Sequence, residues 1–300
     1  MSLSKPECVH DFVLQYPHVR VFVQPLEWTE FHMNLGKVKF TEVPPEEKED
    51  LSDDNVFNPP KGQDPLVTKE RIARRLAQSP QRNQAMLTLI TGDNGPFVRQ
   101  RPSGYFCFGK KRQVRMHGEI YAKRTTKSSA GFFAFCQTGA IENLREMLFP
   151  LHRKLRDNAD FLLVRDRRLK PLVPKDQWRD PYIVGVLVEL AQSQAEERSN
   201  PKYPFAEDHI FKTCAAMTDD NNQEFLYFYS AEISVAFLSK FEFPSDLMRP
   251  KDCMSSELEV KMKKIFFRPY HTFRCRILTE IFNAMGEKME LVVGQTRPQK

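Results

Sequence analysis

DPYIVGVLVELAQSQAEER (residues 180–198), followed by HIFKTCAAMT (209–218), DDNN (219–222) and EFLYFYSAEI (224–233), decides the fold class. Asp180 offers a side-chain acceptor at a helix N-cap, and Pro181 fits the first turn that follows it. The first half of that helix is apolar on most sides, as in a helix buried in the middle of a domain. Glu189 falls toward the same side as Gln192, so a satisfied or exposed carboxylate is expected there rather than a catalytic one. The next two segments are rich in aromatic and branched residues and flank a polar turn, the pattern of a β-hairpin. A buried helix running into an antiparallel strand pair argues for an α+β fold.

The same alternation appears elsewhere. In SELEVKMKKIFF (256–267), Leu258, Val260 and Met262 alternate with Glu259, Lys261 and Lys263, which predicts a half-buried strand. HTFRCRILTEIFNAMGE (271–287) predicts a last helix with Phe273, Ile277, Ile281 and Met285 on one face. Residues 234–241 are read as a helix, and MELVV (289–293) as a final strand. Upstream, VRMHGEIYA (114–122) reads as one period-two strand, with Arg115, His117 and Tyr121 on its exposed face. GFFAFCQT (131–138) is its hairpin partner. TKERIARRLAQ (68–78) is a helix stopped by Pro80, AMLTLIT (85–91) a strand, residues 141–156 a helix interrupted by Pro150, and FLLVR (161–165) a short strand. Val19, Val21 and Val23 suggest a strand near the N-terminus.

The expected architecture is a mainly antiparallel sheet with packed helices and room for two lobes divided near residues 158–180. In segments, this gives an N-terminal strand segment (1–41), an acidic, proline-rich linker (42–66), a basic aromatic hairpin lobe (67–158) and a C-terminal α+β lobe (159–294). The linker carries Glu46, Glu47, Glu49, Asp50, Asp53 and Asp54.

The chain has 300 residues, a formal net charge of +6 and 24 phenylalanines, enough aromatic material for a substantial core. Its six cysteines are scattered without a CxxC, which fits reduced thiols in a cytoplasmic or nuclear protein. No secretory leader is recognised, and no apolar run approaches the length of a membrane span, so no membrane partner is expected.

The blocks DPYIVGVLVELAQ, FLYFYSAEISVAFLSKFEFPS and RPYHTF resemble a diffuse group of uncharacterised proteins from filamentous fungi. The resemblance covers roughly Asp180 to Leu278. It implies a fungal source and an intracellular protein, and it assigns no catalytic residue.

The functional reading therefore comes from side-chain chemistry. Residues 97–127 concentrate Arg99, Arg101, Lys110, Lys111, Arg112, Arg115, Lys123 and Arg124, with Tyr121 and other rings interleaved. Cations beside aromatic faces suit a polyanion, nucleic acid above all. A second basic group comprises Lys261, Lys263, Lys264, Arg268, Arg274 and Arg276. The leading expectation is a binding or scaffold protein that takes nucleic acid or an acidic protein as partner and uses no cofactor. The alternative is a divergent metal-dependent nuclease. Glu259-Val260-Lys261 would form its acid-x-lysine strand, with Asp246 or Asp252 upstream and Glu189 as a helical carboxylate. No histidine or cysteine spacing points to a metal site.

Overall fold

The computed structural model describes residues 20–21, 23–45, 65–92, 95–100, 104–108, 112–124, 132–151, 158–198, 209–242 and 256–287. Among these, in chain order, lie α1 (Glu30–Gly36), β1 (Val38–Val43), α2 (Pro65–Gln78), α3 (Arg82–Thr91), β2 (Phe97–Arg99), β3 (Tyr105–Phe108), β4 (Arg112–Arg115), β5 (Glu119–Lys123) and β6 (Phe133–Gln137). They continue with α4 (Thr138–Met147), α5 (Ala159–Leu169), α6 (Pro181–Arg198), β7 (Ile210–Thr218), β8 (Phe225–Ser234), α7 (Val235–Glu242), β9 (Leu258–Phe266) and α8 (Tyr270–Met285).

Seven strands form one sheet in the order β1-β9-β8-β7-β6-β5-β2, and β3 pairs with β4 in a separate two-stranded ribbon. The β1/β9 and β6/β7 pairs are parallel, and the other pairs are antiparallel. The sheet continues across the division expected near residues 158–180, because β6 pairs directly with β7.

Both faces of the sheet are covered. Helices α1, α4, α6 and α7 pack on one side and α2, α3 and α8 on the other, giving two cores. Strand alternation feeds both of them. Phe133 and Phe135 of β6 enter the α8 side, while Ala134 and Cys136 enter the α6 side. Likewise Leu226 and Phe228 of β8 face α8, and Tyr227 and Tyr229 face α6. Burial on both faces explains why these strands read as near-continuous apolar runs.

The α6 helix starts as its sequence predicts. Asp180 Oδ1 accepts from the Tyr182 N–H at 2.8 Å. The same carboxylate takes a bidentate pair from Arg145 of α4, at 2.7 and 2.5 Å, and both side chains are buried. Arg145 also donates to the carbonyl of Leu26, which ties the N-terminal turn to the core.

Four sequence expectations need correction. AMLTLIT lies in α3, not in a strand: Ala85, Met86, Leu89 and Ile90 form one buried helical face, and the Thr88 and Thr91 hydroxyls donate back to the carbonyls four residues earlier. A short apolar run fits either period, and here packing against α2 and α8 selects the helix. FLLVR lies in α5, whose start is capped by Asn158 accepting from the Phe161 N–H at 3.1 Å. VRMHGEIYA is two strands broken at residues 116–118; β4 leaves to pair with β3, and β5 stays in the main sheet. Finally, Val21 and Val23 are buried without belonging to a strand. The helix expected over 141–156 begins at Thr138 and ends at Met147, ahead of Pro150. The MELVV strand lies outside the described residues.

Candidate functional site

The basic stretch of residues 97–127 is divided between two sheets, and most of its described cations are used internally. Arg99 donates to Glu119 across β2 and β5 at 2.8 Å. Lys123 pairs with Glu287. Arg124 donates to the carbonyls of Gly95 at 2.9 Å and Thr91 at 3.0 Å. The Thr91 carbonyl belongs to the last turn of α3, where orphan acceptors and the negative helix end favour a cation. Tyr121 is fully buried rather than exposed, because helices cover both sides of β5's sheet. A ring enclosed in this way cannot stack on a ligand. Arg112 opens β4 at the end of the ribbon, and Arg115, at its other end, is exposed. Arg101, Lys110 and Lys111 lie outside the described residues.

Four of the six cations of the second basic group are spent in the same manner, while Arg268 is exposed beside the Tyr270 ring. Lys263 pairs with Glu280 at 2.8 Å and Lys264 with Glu42 at 3.3 Å. Arg276 donates to the carbonyls of Phe266, Phe267 and Pro269, fixing the turn between β9 and α8. Arg274 donates to the Leu89 carbonyl at 2.8 Å. The two basic groups therefore meet, through Arg124 and Arg274, at the C-terminal end of α3. They meet there as caps, not as an open cationic face. Lys261 is exposed.

Glu259 and Lys261 sit on β9 as expected and share a face. Glu259 accepts from Thr41 of the neighbouring edge strand at 2.7 Å. The intervening Val260 points to the α6 core, so Glu259 and Lys261 point to the other side of the sheet. Glu189, on α6, is therefore separated from them by the sheet itself and cannot join them at one metal. Asp246 and Asp252 lie outside the described residues. Among the described residues, no group of three or more His, Cys, Asp or Glu side chains could hold a metal ion.

What the structure does assemble is the docking of the β3–β4 ribbon onto α6. Phe106 and Phe108 turn inward, with Phe106 edge-on to Trp28 at 5.3 Å and to Phe241 at 5.3 Å. Polar groups of α6 then bind the ribbon's main chain. Gln192 accepts from the Cys107 N–H and donates to the Cys107 carbonyl, both at 2.9 Å, as a neighbouring strand would. Tyr182, near the start of α6, accepts from the His117 N–H and donates to its carbonyl. Glu189 accepts from the Tyr105 N–H. Its carboxylate lies so close to Gly104 that a Cβ there would overlap it, so no other residue fits at 104 without a shift.

Glu189 is the residue that sequence reasoning undervalued. It is 3% exposed, and among the described residues its Oε2 has no hydrogen-bond partner. Burial pushes its carboxyl up to about 7, opposed by the Tyr105 hydrogen bond. The signal was present: Val186, Leu187, Val188, Leu190 and Ala191 surround it, so even the polar side of this helix faces protein. Gln192 and Glu189 do share that side, but it faces the ribbon rather than water.

With Phe106 and Phe108 inward, the ribbon's outer face carries Tyr105, which is 50% exposed, directly across from Arg115. A polar cleft of about 290 Å³ also lies beside the Arg99–Glu119 pair, lined by Gln81, Asn83, Gln84 and Gln137. Its one cation is already neutralised. No protein-family model matches the chain, and no curated protein matches it in sequence.

Proposed function

We propose that the protein is a non-enzymatic binding protein whose β3–β4 ribbon contacts a polyanion, nucleic acid being the class it suits best. The observation that carries this reading is the ribbon's outer face, where an exposed tyrosine stands opposite an exposed arginine on a two-stranded sheet outside the main one. A β-ribbon is narrow enough to enter the major groove of a duplex, and an exposed ring beside a cation equally suits a single strand. The inner face supports the reading by a different route: Phe106, Phe108, Gln192, Tyr182 and Glu189 fix the ribbon to a buried helix. A ligand then meets a surface that is already ordered.

This is a smaller interface than the full stretch of residues 97–127. Arg99, Lys123 and Arg124 contribute to the fold and Tyr121 to the core. Metal-dependent cleavage has no comparable support, because the sheet separates Glu189 from Glu259 and Lys261.

The test is binding of fluorescently labelled RNA and DNA by the full chain at two salt concentrations, with Arg115→Ala and Tyr105→Ala compared with wild type. Salt-sensitive binding that weakens in both variants is expected. Absence of salt-sensitive binding overturns the proposal.

A further inference from the structure

Among the described residues between α4 and the Asp180 cap of α6, none is fully buried. Helix α5 has no buried residue, and neither do the two single-turn 3-10 helices that follow it, Lys170–Leu172 and Gln177–Arg179. Yet FLLVR within α5 is apolar enough to read as a short strand. Met147, Leu163, Val164 and Val173 expose between 48% and 71% of their surfaces, and they make up half of the large exposed apolar residues among those described.

Helical phase sorts the residues of α5 into two sides. Phe161, Leu162, Arg165 and Leu169 are half-buried and lie toward the body of the protein. Arg165 fastens that side, donating to the Phe149 carbonyl at 3.1 Å and pairing with Glu146 at 3.5 Å. Leu163, Val164, Arg167 and Lys170 fall on the opposite, solvent-facing side, with Arg168 at its margin beside Phe149. Only Asp160 adds an acid to that outward side; Asp166 lies at its edge, 4.0 Å from Arg165.

An outward stripe of aliphatic side chains bordered by arginine and lysine is what an interfacial helix presents to an anionic bilayer. The apolar tips enter the acyl boundary while the cations remain among the headgroups. We infer that the outward face of α5, with Leu163 and Val164 bordered by Arg167 and Lys170, is a peripheral docking surface for an anionic lipid membrane. The exposed cations Arg167, Arg168 and Lys170 complement the negative potential of such a surface. The expectation of no membrane partner rested on the lack of a span, and no described helix is long and apolar enough to cross a membrane. A peripheral contact needs no span. This surface is distinct from the β3–β4 ribbon and does not depend on it.

The test is co-sedimentation of the full chain with vesicles of phosphatidylserine mixed with phosphatidylcholine, against phosphatidylcholine alone. Salt is raised so that the screening length falls from about 10 Å to about 3 Å. Binding should require phosphatidylserine and decline with salt. Each cation near such a surface raises affinity by about fivefold, so Arg167→Glu with Arg168→Glu should cut binding at least about tenfold. Leu163→Asp with Val164→Asp should also lose it. Because Leu163, Val164, Arg167 and Arg168 are all exposed, both double variants should melt like wild type. Arg115→Ala should sediment like wild type, which separates this surface from the ribbon. No phosphatidylserine-dependent sedimentation, undiminished binding in both α5 variants, or equal loss in Arg115→Ala would each overturn the inference.

Discussion

Tyr105 and Arg115 face each other across the β3–β4 ribbon, the first and last residues of a register that runs Tyr105–Arg115, Phe106–Val114, Cys107–Gln113 and Phe108–Arg112. Directly opposed residues share a face of a strand pair. The Phe106 pair therefore faces the core and the Tyr105 pair faces out. One alternation thus determines both what anchors the ribbon and what it offers to a ligand.

Gln192 is the most exposed link in that anchoring to mutation. It is mostly buried and satisfies both the N–H and the carbonyl of Cys107. Gln192→Ala leaves two main-chain groups without their partner, at a cost of about 1–3 kcal/mol. Hydrogen exchange should accelerate at residues 104–116 well beyond any change in β7 or β8. Uniform acceleration across the sheet would mean that the ribbon is not a separately docked unit.

Glu189 makes stability depend on pH in an unusual direction for an acid. Its folded-state carboxyl lies near 7, above the ordinary value of 4.5, so the native protein holds the proton more tightly than the unfolded chain. The associated stabilisation is complete below about 4.5 and is lost as pH rises through 7, by about 3 kcal/mol at most. Glutamine mimics the protonated acid. Urea melts from pH 5 to 8 should therefore show falling stability for wild type and a flatter profile for Glu189→Gln; parallel profiles would contradict this.

The Arg145–Asp180 pair should behave as a buried ion pair rather than as a surface one. Removing one member strands the other charge, so Asp180→Ala should cost about 3–5 kcal/mol, including the lost helix cap. The more exposed Lys175–Glu30 pair makes the comparison, since Glu30→Ala should change stability by less than about 1 kcal/mol. Chemical denaturation of the two variants distinguishes them.

Much of this fold was legible because local pattern and global packing agree. Asp180-Pro181 marks the start of α6, Leu258, Val260 and Met262 mark the inner face of β9, and Asp219–Asn222 mark the turn between β7 and β8. The misread elements are those whose pattern fits two periods. Met86–Ile90 and Phe161–Val164 are runs too short to separate strand from helix, and what separates them is long-range packing in α3 and an Asn158 cap in α5. Tyr121 had the right alternation, but alternation predicts exposure only when one face of the sheet is bare. The roles of the arginines were hidden for a different reason. Arg274 meets Leu89 across 185 positions of sequence, and composition cannot distinguish a cap of that kind from a phosphate contact.

The central claim is that the ribbon, and not the surrounding basic stretch, contacts the polyanion. Its most direct test is the salt dependence of binding to labelled single-stranded RNA and duplex DNA for wild type, Arg115→Ala and Arg124→Ala. Log affinity should fall linearly with log salt in wild type. Arg115→Ala should weaken binding and reduce the slope by about 1, as loss of one phosphate contact does. Arg124→Ala, which removes a helix cap, should lower the melting temperature and leave the slope unchanged. A slope altered by Arg124→Ala but not by Arg115→Ala, or no salt-sensitive binding by wild type, would contradict the account.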